Sequence, residues 1–396
     1  MTAPSTKLPY EGLRVIEFSH MVMGPTCGLI LADLGAEVIK IEPPGGDKTR
    51  RLLGSGAGFY PLFNRNKRSL VLDLQSSAGR DAALRLIDTA DVVSENFKPS
   101  TMKKLGLDYD SLKRRNPKLI FVSHKGFLPG PYENRTALDE VVQMMGGLAY
   151  MTGRPGDPLR AGASVNDIMG GMFGAIGVMA ALAQRQQSGL GQQVQTALFE
   201  NNVFLVAQHI MQLAATGEPA RPMPLRISAW AVYDVFDLVN NEQIFLGVVT
   251  DKQWFAFCQA MKFLDLLEDP KLNTNNDRVR ARDWLLPILR ERLKPLARET
   301  VAEIFERAGL PFAPILAPHE LLDDPHLQAT LGLTEVRLTD GPHAGETAKA
   351  ALLPLMMDGS RLPLRHQPPT IGEDSIALLQ ELGYSLEEAH LLSDPK

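Results

Sequence analysis

The feature that most constrains the fold is an alternation of strand-like and helical runs near the start of the chain. Leu13–Ser19 is a short apolar run rich in strand-forming residues, Thr26–Leu34 has helical periodicity, and Glu37–Glu42 is a second strand-like run. Two strands joined by a helix form a parallel unit, so we predict an α/β fold with a Rossmann-like, doubly wound parallel sheet. The turn after the first strand lacks the G-x-G-x-x-G pattern of dinucleotide-binding proteins, so we do not expect NAD binding.

Polar turns follow two later strand-like runs of the predicted sheet. Ala90–Glu95 is followed by Asn96-Phe97-Lys98, and Leu119–Ser123 is followed by His124-Lys125-Gly126. In open α/β sheets, ligands bind at the edge formed by the carboxyl ends of the strands. These turns, together with the turn that begins at His20, therefore mark the edge where we expect a ligand site.

A basic cluster, Arg65, Lys67 and Arg68, opens directly into another strand-like run. Its spacing is equally compatible with a phosphate site at the mouth of the strand and with a solvated basic turn. Lys103 and Lys104 add further local positive charge. The net charge of the chain is −5, so an anionic ligand would depend on such local clusters, and we expect neither nucleic acid nor a membrane as a partner.

Length and composition indicate an ordinary globular protein with more than one domain. The chain has 396 residues, of which 44% are hydrophobic and 22% charged. Prolines near residue 220 and a change of composition after them predict a large domain at 1–222 and a smaller α+β domain at 223–338. The C-terminal segment, 339–396, is expected to return to the large domain. Asn240 and Asn241, between two strand-like runs, predict a hairpin in the small domain.

Signals for metal binding or export are scarce. Cys27 and Cys258 lie far apart without metal-type partners nearby, so we expect neither a disulfide scaffold nor a metal site. The first twelve residues carry no apolar signal core, and no stretch is expected to reach membrane-spanning length. We therefore expect a cytoplasmic protein.

The segment Ala161–Gln186 combines one acid with a helical pattern crowded by small residues. Four glycines interrupt that pattern: Gly170, Gly171, Gly174 and Gly177. Each costs roughly 1 kcal/mol relative to alanine inside a helix, so the cluster predicts the close approach of another backbone or of a ligand. Asp167 lies at the start of the predicted helix, where an acid either caps the helix or takes part in chemistry.

Three consecutive segments resemble one known family. They read GLRVIEFSHMVMGPTCGLILADLGAEVIKIEPP at 12–44, FNRNKRSLVLDL at 63–74 and DVVSENFKPSTMKKLGLDYDSLKRRNPKLIFVSHKGF at 91–127. In this order they are similar to the family III CoA-transferases, and the resemblance runs from about Leu13 to Ala215 and resumes at Gly309–Ala329. It implies a two-domain subunit in an interlocked homodimer. It also implies that acyl-CoA and a free carboxylic acid are the substrates, with no tightly bound cofactor.

The resemblance further implies which residues form the site. Asp167 stands in the position of the family's nucleophile, and no metal is required. The positions matching the family's CoA site are His20, Met21, Val22, Leu72, Gln75, Asn96, Phe97, Lys98, Lys104 and Lys125.

The implied reaction needs only one carboxylate. The carboxylate attacks the thioester carbonyl to give a mixed anhydride and CoA thiolate, and an enzyme–CoA thioester follows. Because the ionised carboxylate is the nucleophile, we expect no raised pKa for Asp167. We interpret Gly170 and Gly171 as giving a ligand close access to the acid, and Glu140 as a candidate to support it.

Two departures from related proteins narrow the expected activity. Racemases of this fold carry a histidine just before the position of Asp139, and this chain has Leu138 there. Racemisation or isomerisation needs proton transfer on both faces of a carbon. It is therefore the less favoured alternative. Formyl-CoA:oxalate transferase has a multi-glycine loop that residues 224–234 lack, which favours a larger acid such as a dicarboxylate, with Arg226 as a candidate clamp. A non-catalytic acyl-CoA-binding subunit is a further alternative, and the presence of Asp167 argues against it.

Overall fold

The structure, a computed structural model, describes residues 7–226 and 228–394. The chain forms two compact units. The larger unit ends at Pro224 and resumes at Pro325, and the smaller unit spans Leu225–Asp324. The domain boundaries expected after residues 222 and 338 stay predictions. The first six residues, half of the segment considered for a signal sequence, lie outside the described residues.

The strands and helices of both units are numbered together in chain order, and they alternate along most of the larger unit. The strands are β1 (Arg14–Phe18), β2 (Glu37–Glu42), β3 (Lys67–Val71), β4 (Val92–Glu95), β5 (Ile120–Lys125), β6 (Gln193–Ala197), β7 (Val232–Asp237), β8 (Gln243–Val248), β9 (Phe312–Pro314), β10 (Leu333–Arg337), β11 (Thr347–Ala351), β12 (Met356–Met357) and β13 (Ser360–Arg361). The helices are α1 (Met23–Asp33), α2 (Phe59–Phe63), α3 (Ser77–Asp88), α4 (Pro99–Leu105), α5 (Tyr109–Arg115), α6 (Asp139–Met145), α7 (Leu148–Thr152), α8 (Val165–Ser188), α9 (Leu198–Thr216), α10 (Asp251–Met261), α11 (Leu264–Leu267), α12 (Asn275–Arg280), α13 (Arg282–Leu293), α14 (Arg298–Arg307), α15 (Pro325–Ala329), α16 (Ser375–Glu381) and α17 (Leu386–Ser393).

Strands β1 to β6 form one parallel sheet in the order β3-β2-β1-β4-β5-β6. The direction of winding reverses at β1, because β2 pairs with one side of β1 and β4 with the other. The predicted Rossmann-like, doubly wound sheet is therefore confirmed. The carboxyl ends of β1 and β4 flank the point of reversal, which is where such sheets bind ligands.

Both faces of this sheet are buried. Ile16 and Phe18 belong to a core shared with α3 and α16, whereas Val15 and Val38 belong to a core shared with α1 and α8. Side chains alternate between the two faces along a strand, so a strand buried on both faces is apolar throughout. This burial explains the continuous apolar runs that mark the strands in the sequence.

The glycines of α8 serve packing between secondary-structure elements. A Cβ atom at Gly171 would lie 2.6 Å from the carbonyl oxygen of Met23 in α1, and one at Gly170 would lie 2.3 Å from the Met23 Cε. The other two glycines of α8 face side chains of β5 and β6 in the same way. The expectation that Gly170 and Gly171 give a ligand access is therefore wrong, because α1 is the group that approaches.

Helix α8 is long and apolar enough to cross a membrane by length and composition alone, so the expectation that no stretch reaches that length is wrong. Its 24 residues pack against α1, β5 and β6 within the larger unit. Ala175, Val178 and Ala181 are buried there in the core beneath the sheet. A helix that packs against a sheet can be as long and as apolar as a membrane-spanning helix. The length and composition of α8 therefore do not assign it to a membrane.

The segment before the loop that leads to α8 contains two short helices, α6 and α7, with a break between them. Gly147, between them, has φ +90°, a conformation that residues with a Cβ rarely adopt. Gly146 has no room for a Cβ, which would lie 2.5 Å from the Oδ1 of Asn202. The apolar periodicity of the segment conceals this break.

The smaller unit is the α+β part of the chain. Strands β7, β8 and β9 form an antiparallel sheet in that order, and residues of α10 to α14 share its core around Phe257 and Leu289. Asn240 and Asn241 have φ values of 60° and 61°, in the left-handed region that hairpin turns require and asparagine tolerates. The predicted hairpin is confirmed.

Candidate active site

A groove lies at the carboxyl ends of the strands, where the order of the sheet reverses. Its volume is about 610 Å³, and the ends of β1 to β4, helix α4 and the segment before α6 line it. Six of the ten residues that the resemblance assigns to CoA are among its walls: His20, Leu72, Gln75, Asn96, Phe97 and Lys98. The fold thus brings together residues from several turns at the expected edge of the sheet.

Hydrogen bonds fix the turn that carries His20. Its N–H donates to Oδ1 of Asn96 (3.1 Å), and its carbonyl oxygen accepts from Nδ2 of Asn96 (2.7 Å). The next residue, Met21, has φ +65° and donates its N–H to Oγ1 of Thr49 (3.0 Å). The rings of His20 and Phe97 have centroids 5.7 Å apart. The turn is therefore held from two sides, and its imidazole faces the groove beside an aromatic ring.

A buried charge network supports this turn, and the sequence analysis missed it. Nζ of Lys40 donates to the carbonyl oxygen of Ser19 (2.5 Å) and pairs with Oδ2 of Asp47 (3.0 Å). Oδ1 of Asp47 accepts from the N–H and the Oγ1 of Thr49 (2.9 and 2.8 Å), the residue that accepts from Met21. The available signal was a lysine between two isoleucines of a buried strand, since a buried cation requires a partner.

The remaining four predicted CoA residues do not line this groove: Met21, Val22, Lys104 and Lys125. Val22 is buried in an apolar cluster, and Lys104 is exposed on α4. Lys125 donates to Oε2 of Glu95 (2.9 Å) and to the carbonyl oxygen of Phe97 (2.8 Å), and it lines a separate cavity. Lys125 thus fixes the backbone of a groove residue, and contact of these four with CoA stays a prediction.

Three basic side chains near the start of β3 bind acids within the protein: Arg65, Lys67 and Arg68. Nη2 of Arg65 pairs with Asp33 at 2.7 Å and Nζ of Lys67 with Glu17 at 2.9 Å, all four groups being buried. Burial lowers the pKa of Lys67 to about 8. Arg68 pairs with a carboxylate of β2. Both a phosphate site and a solvated turn are therefore wrong, because the cluster lies at the amino end of β3, at the edge opposite the groove.

Asp167 lies in the first turn of α8, and a different residue caps that helix. The side chain of Ser164, which precedes the helix, makes no capping bond. Oδ2 of Asp139 accepts the N–H groups of Asn166 (2.7 Å) and Asp167 (3.0 Å). Among residues 7–226 and 228–394 no donor bonds the carboxylate of Asp167. Asp167 therefore does not cap α8, and its carboxylate is available to a ligand.

The carboxyl of Asp167 is also electrostatically unusual. Burial first, and then the negative charges of Asp139 and Glu140, raises the pKa of Asp167 to about 7. All three factors disfavour the ionised form. The expectation of an unraised pKa is therefore wrong, and this carboxyl titrates near neutral pH.

A second cavity, of about 290 Å³, adjoins the start of α8. Ser164 and Ile168, which flank Asp167 in the sequence, line it. Arg160 and Glu140 also line it and pair with each other at 3.0 Å (Nη1 to Oε1). This cavity is therefore a small space with one ion pair, lined by chain neighbours of Asp167, whereas Asp167 itself is among the lining residues of neither cavity.

The remaining predicted features supply no further set of ligand-binding side chains. Leu138 lines the groove and is 58% exposed, whereas Arg226 belongs to the smaller unit, where its role as a clamp stays a prediction. Cys27 and Cys258 are free and buried. In the part of the chain that the structure describes, no group of three or more His, Cys, Asp or Glu side chains is placed to hold a metal ion.

The fold and the site define an α/β protein with a ligand groove at the carboxyl edge of its parallel sheet and an available carboxylate nearby. The model of CoA-transferase family III matches residues 10–375, so the chain belongs to this family. The chain is 34% identical to succinate–glutarate CoA-transferase of Agrobacterium fabrum, covering 96% of this chain and 97% of that protein. It is 31% identical to succinyl-CoA:mesaconate CoA-transferase of Haloarcula hispanica, covering 97% and 99%.

Solved structures agree with this assignment. The crystal structure of a CaiB/BaiF family protein from Brucella suis superposes with a TM-score of 0.83 at 31% identity, covering 95% of this chain and all of that chain (100%). Together with the named relatives, this similarity makes the protein an enzyme of the CoA-transferase type.

Proposed function

We propose that this enzyme moves CoA from an acyl-CoA donor to a small mono- or dicarboxylic acid, and that Asp167 carries the acyl group. The observation that carries the proposal is the Asp167 carboxyl, which is partly buried, has no donor among the described residues and has a pKa raised to about 7. A partly buried carboxylate kept free of internal partners suits a nucleophile better than a structural acid.

The groove and Asp167 are linked through the start of α6. Ala137 and Leu138 line the groove, and the next residue, Asp139, accepts the N–H of Asp167. If CoA binds along His20 and Phe97, Leu138 in the wall of its groove is followed directly by Asp139, which holds the start of α8. This continuity supports the delivery of a thioester to Asp167.

The proposed reaction has two pairs of acyl-transfer steps. An oxygen of ionised Asp167 attacks the thioester carbonyl carbon, the C–S bond breaks, and CoA leaves as the thiolate while a mixed anhydride forms. The thiolate then attacks the carbonyl carbon of Asp167, which releases the donor acid as a carboxylate and leaves an aspartyl-CoA thioester. The acceptor carboxylate then attacks the carbonyl carbon of aspartyl-CoA, which releases CoA thiolate and forms a second mixed anhydride. The thiolate attacks the acceptor carbonyl carbon of that anhydride, so that acceptor acyl-CoA leaves and Asp167 is restored as a carboxylate.

The raised pKa of Asp167 serves this reaction. A carboxylate with a pKa of about 7 is a stronger nucleophile than one with an ordinary pKa, and about half of it is ionised at neutral pH. Partial burial also limits the water that could hydrolyse the anhydride. The same environment therefore strengthens the nucleophile and protects the intermediate.

The alternatives are less well supported. A racemase or isomerase needs a second proton-transfer group opposite the first, and Leu138 is an apolar side chain at the position where the resemblance places a histidine in racemases. A non-catalytic acyl-CoA-binding subunit would not need an available Asp167. α-Proton exchange in heavy water distinguishes the racemase, and intermediate trapping distinguishes the binding subunit.

We further propose that the enzyme is a cytoplasmic, interlocked homodimer with no tightly bound cofactor and with neither nucleic acid nor membrane as a partner. Large apolar side chains on α9 support an interface, since Phe204, Ile210 and Met211 are 68%, 56% and 65% exposed. Sedimentation equilibrium of the purified chain tests the dimer, and a monomer at micromolar concentration would contradict it.

Trapping tests the proposed nucleophile. We expect wild-type enzyme treated with acetyl-CoA and hydroxylamine to form a hydroxamate at Asp167, detected by peptide mass spectrometry. Asp167→Ala should give no adduct and no CoA transfer, whereas Asp157→Asn, at an exposed loop position of the same unit, should behave as wild type. Transfer by Asp167→Ala at the wild-type rate would refute the proposal.

A further inference from the structure

The 290 Å³ cavity beside α8 has two chemically different sides. One side is apolar and comes from five side chains: Val22, Phe59, Leu62, Phe63 and Ile168. The other side carries Arg160, which is the single cation among the described residues that line the cavity. An apolar cluster and one guanidinium that line the same small cavity suit a short aliphatic chain that ends in a carboxylate.

Arg160 is available to a ligand, unlike the buried arginines of the same unit. Its partner is Glu140, and the two side chains are 41% and 48% exposed. Ion pairs at this exposure are weak, so an incoming carboxylate can replace Glu140 at little cost. Arg65, by contrast, is 1% exposed and pairs with buried Asp33. The cavity therefore contains one cation that is held loosely enough to exchange partners.

Glu140 links Arg160 to Asp167, because it pairs with Arg160 at 3.0 Å and its negative charge helps to raise the pKa of Asp167. Arg160 precedes the start of α8, and Ser164 and Ile168 of the same cavity flank Asp167 in the sequence. One carboxylate at Asp167 and a second at Arg160 would place the connecting carbons along the apolar side. The small volume restricts those carbons to a short chain.

We propose that Arg160 binds the non-reacting carboxylate of a short aliphatic dicarboxylic acid whose other carboxylate reacts at Asp167. The inference rests on the proposed function of Asp167. A planar guanidinium binds a carboxylate through two parallel hydrogen bonds, which fixes the orientation of the acid as well as its charge. A monocarboxylic acid of equal length gains no such contact and leaves Arg160 paired with Glu140. Arg160 thereby selects dicarboxylic over monocarboxylic acids.

The test compares acceptors that differ only in the second carboxylate. Succinate and glutarate are paired with butyrate and pentanoate, with acetyl-CoA as the donor, and binding of radiolabelled succinate is measured in parallel. We expect Arg160→Gln to lower kcat/KM for succinate and glutarate by about 10- to 100-fold, the range for loss of a charge-assisted contact, and to change butyrate and pentanoate by less than about threefold. Arg160→Lys should recover part of the loss. Arg154→Gln, at an exposed position of the same loop, should change neither class.

The outcomes separate this inference from the proposed function. Equal losses for both classes of acid in Arg160→Gln, or wild-type enzyme that prefers monocarboxylates or fails to bind succinate, would overturn the role of Arg160. The transferase proposal would survive those results as long as Asp167→Ala remains inactive. Activity of Asp167→Ala would overturn the transferase mechanism whatever Arg160 does.

Discussion

Replacing Asp167 by asparagine should stabilise the folded chain above pH 7 and have a smaller effect at pH 5. The pKa of Asp167 is raised from 3.8 to about 7, chiefly by burial. Between those pH values the folded state binds more protons than the unfolded state, so wild-type stability falls as the pH rises through this window. Three units correspond to roughly 4 kcal/mol at pH 8, as an upper limit because the side chain retains some contact with water.

Asparagine keeps the shape of the side chain but carries no charge. The difference in the free energy of unfolding between Asp167→Asn and wild type should therefore grow by up to about 1.4 kcal/mol per pH unit from pH 5 to pH 7 and level off above. This difference is measured by urea unfolding followed by far-ultraviolet circular dichroism. Tryptophan fluorescence would report on the wrong unit, because the three tryptophans, Trp230, Trp254 and Trp284, lie in the smaller unit and Asp167 lies in the larger one. Asp157→Asn is the matched control. A difference that is flat with pH, or that favours wild type at pH 8, would refute the electrostatic reasoning.

Three further results are expected. Glu140→Gln removes a negative charge that raises the pKa of Asp167, so the acid limb of the pH–kcat/KM profile should move to lower pH; an unmoved limb would contradict this. Gly171→Ala places a Cβ 2.6 Å from a backbone oxygen of α1 and should lower the free energy of unfolding by about 1–3 kcal/mol, whereas Gly162→Ala, with open space around it, should be nearly neutral in thermal melts. Thr49→Val removes the acceptor for the turn beside His20 and should raise KM for acetyl-CoA about fivefold with little change in kcat, and Thr49→Ser should restore it; equal effects of valine and serine would argue against the hydrogen bond.

The sheet and its ligand edge could be predicted because they depend on local patterns. Buried parallel strands are apolar throughout, and the polar residues that follow them, such as His20 and Asn96, lie at one edge. The same rule, applied to Arg65, would have placed the basic cluster at the opposite edge, because it precedes its strand. The basic cluster was interpreted from its charge alone, without regard to the direction of the strand that follows it.

The electrostatics of the site could not be predicted, because they depend on contacts between distant segments. Asp139 caps α8 from 28 positions away, and Lys40 reaches Ser19 across 21 positions. The raised pKa of Asp167 follows from its burial and from the charges of Asp139 and Glu140, which only the folded chain brings close to it. The glycines of α8 correctly indicated a close neighbour, but a glycine pattern does not distinguish a helix from a ligand.

Isotope transfer tests the central claim most directly. During turnover with an acceptor acid labelled with ¹⁸O in both carboxylate oxygens, formation and cleavage of the second anhydride should leave one labelled oxygen in the side chain of Asp167. Peptide mass spectrometry after many turnovers should therefore find ¹⁸O at Asp167 and at no other acid of the chain. Continued CoA transfer with Asp167 unlabelled would contradict the claim that this residue carries the acyl group.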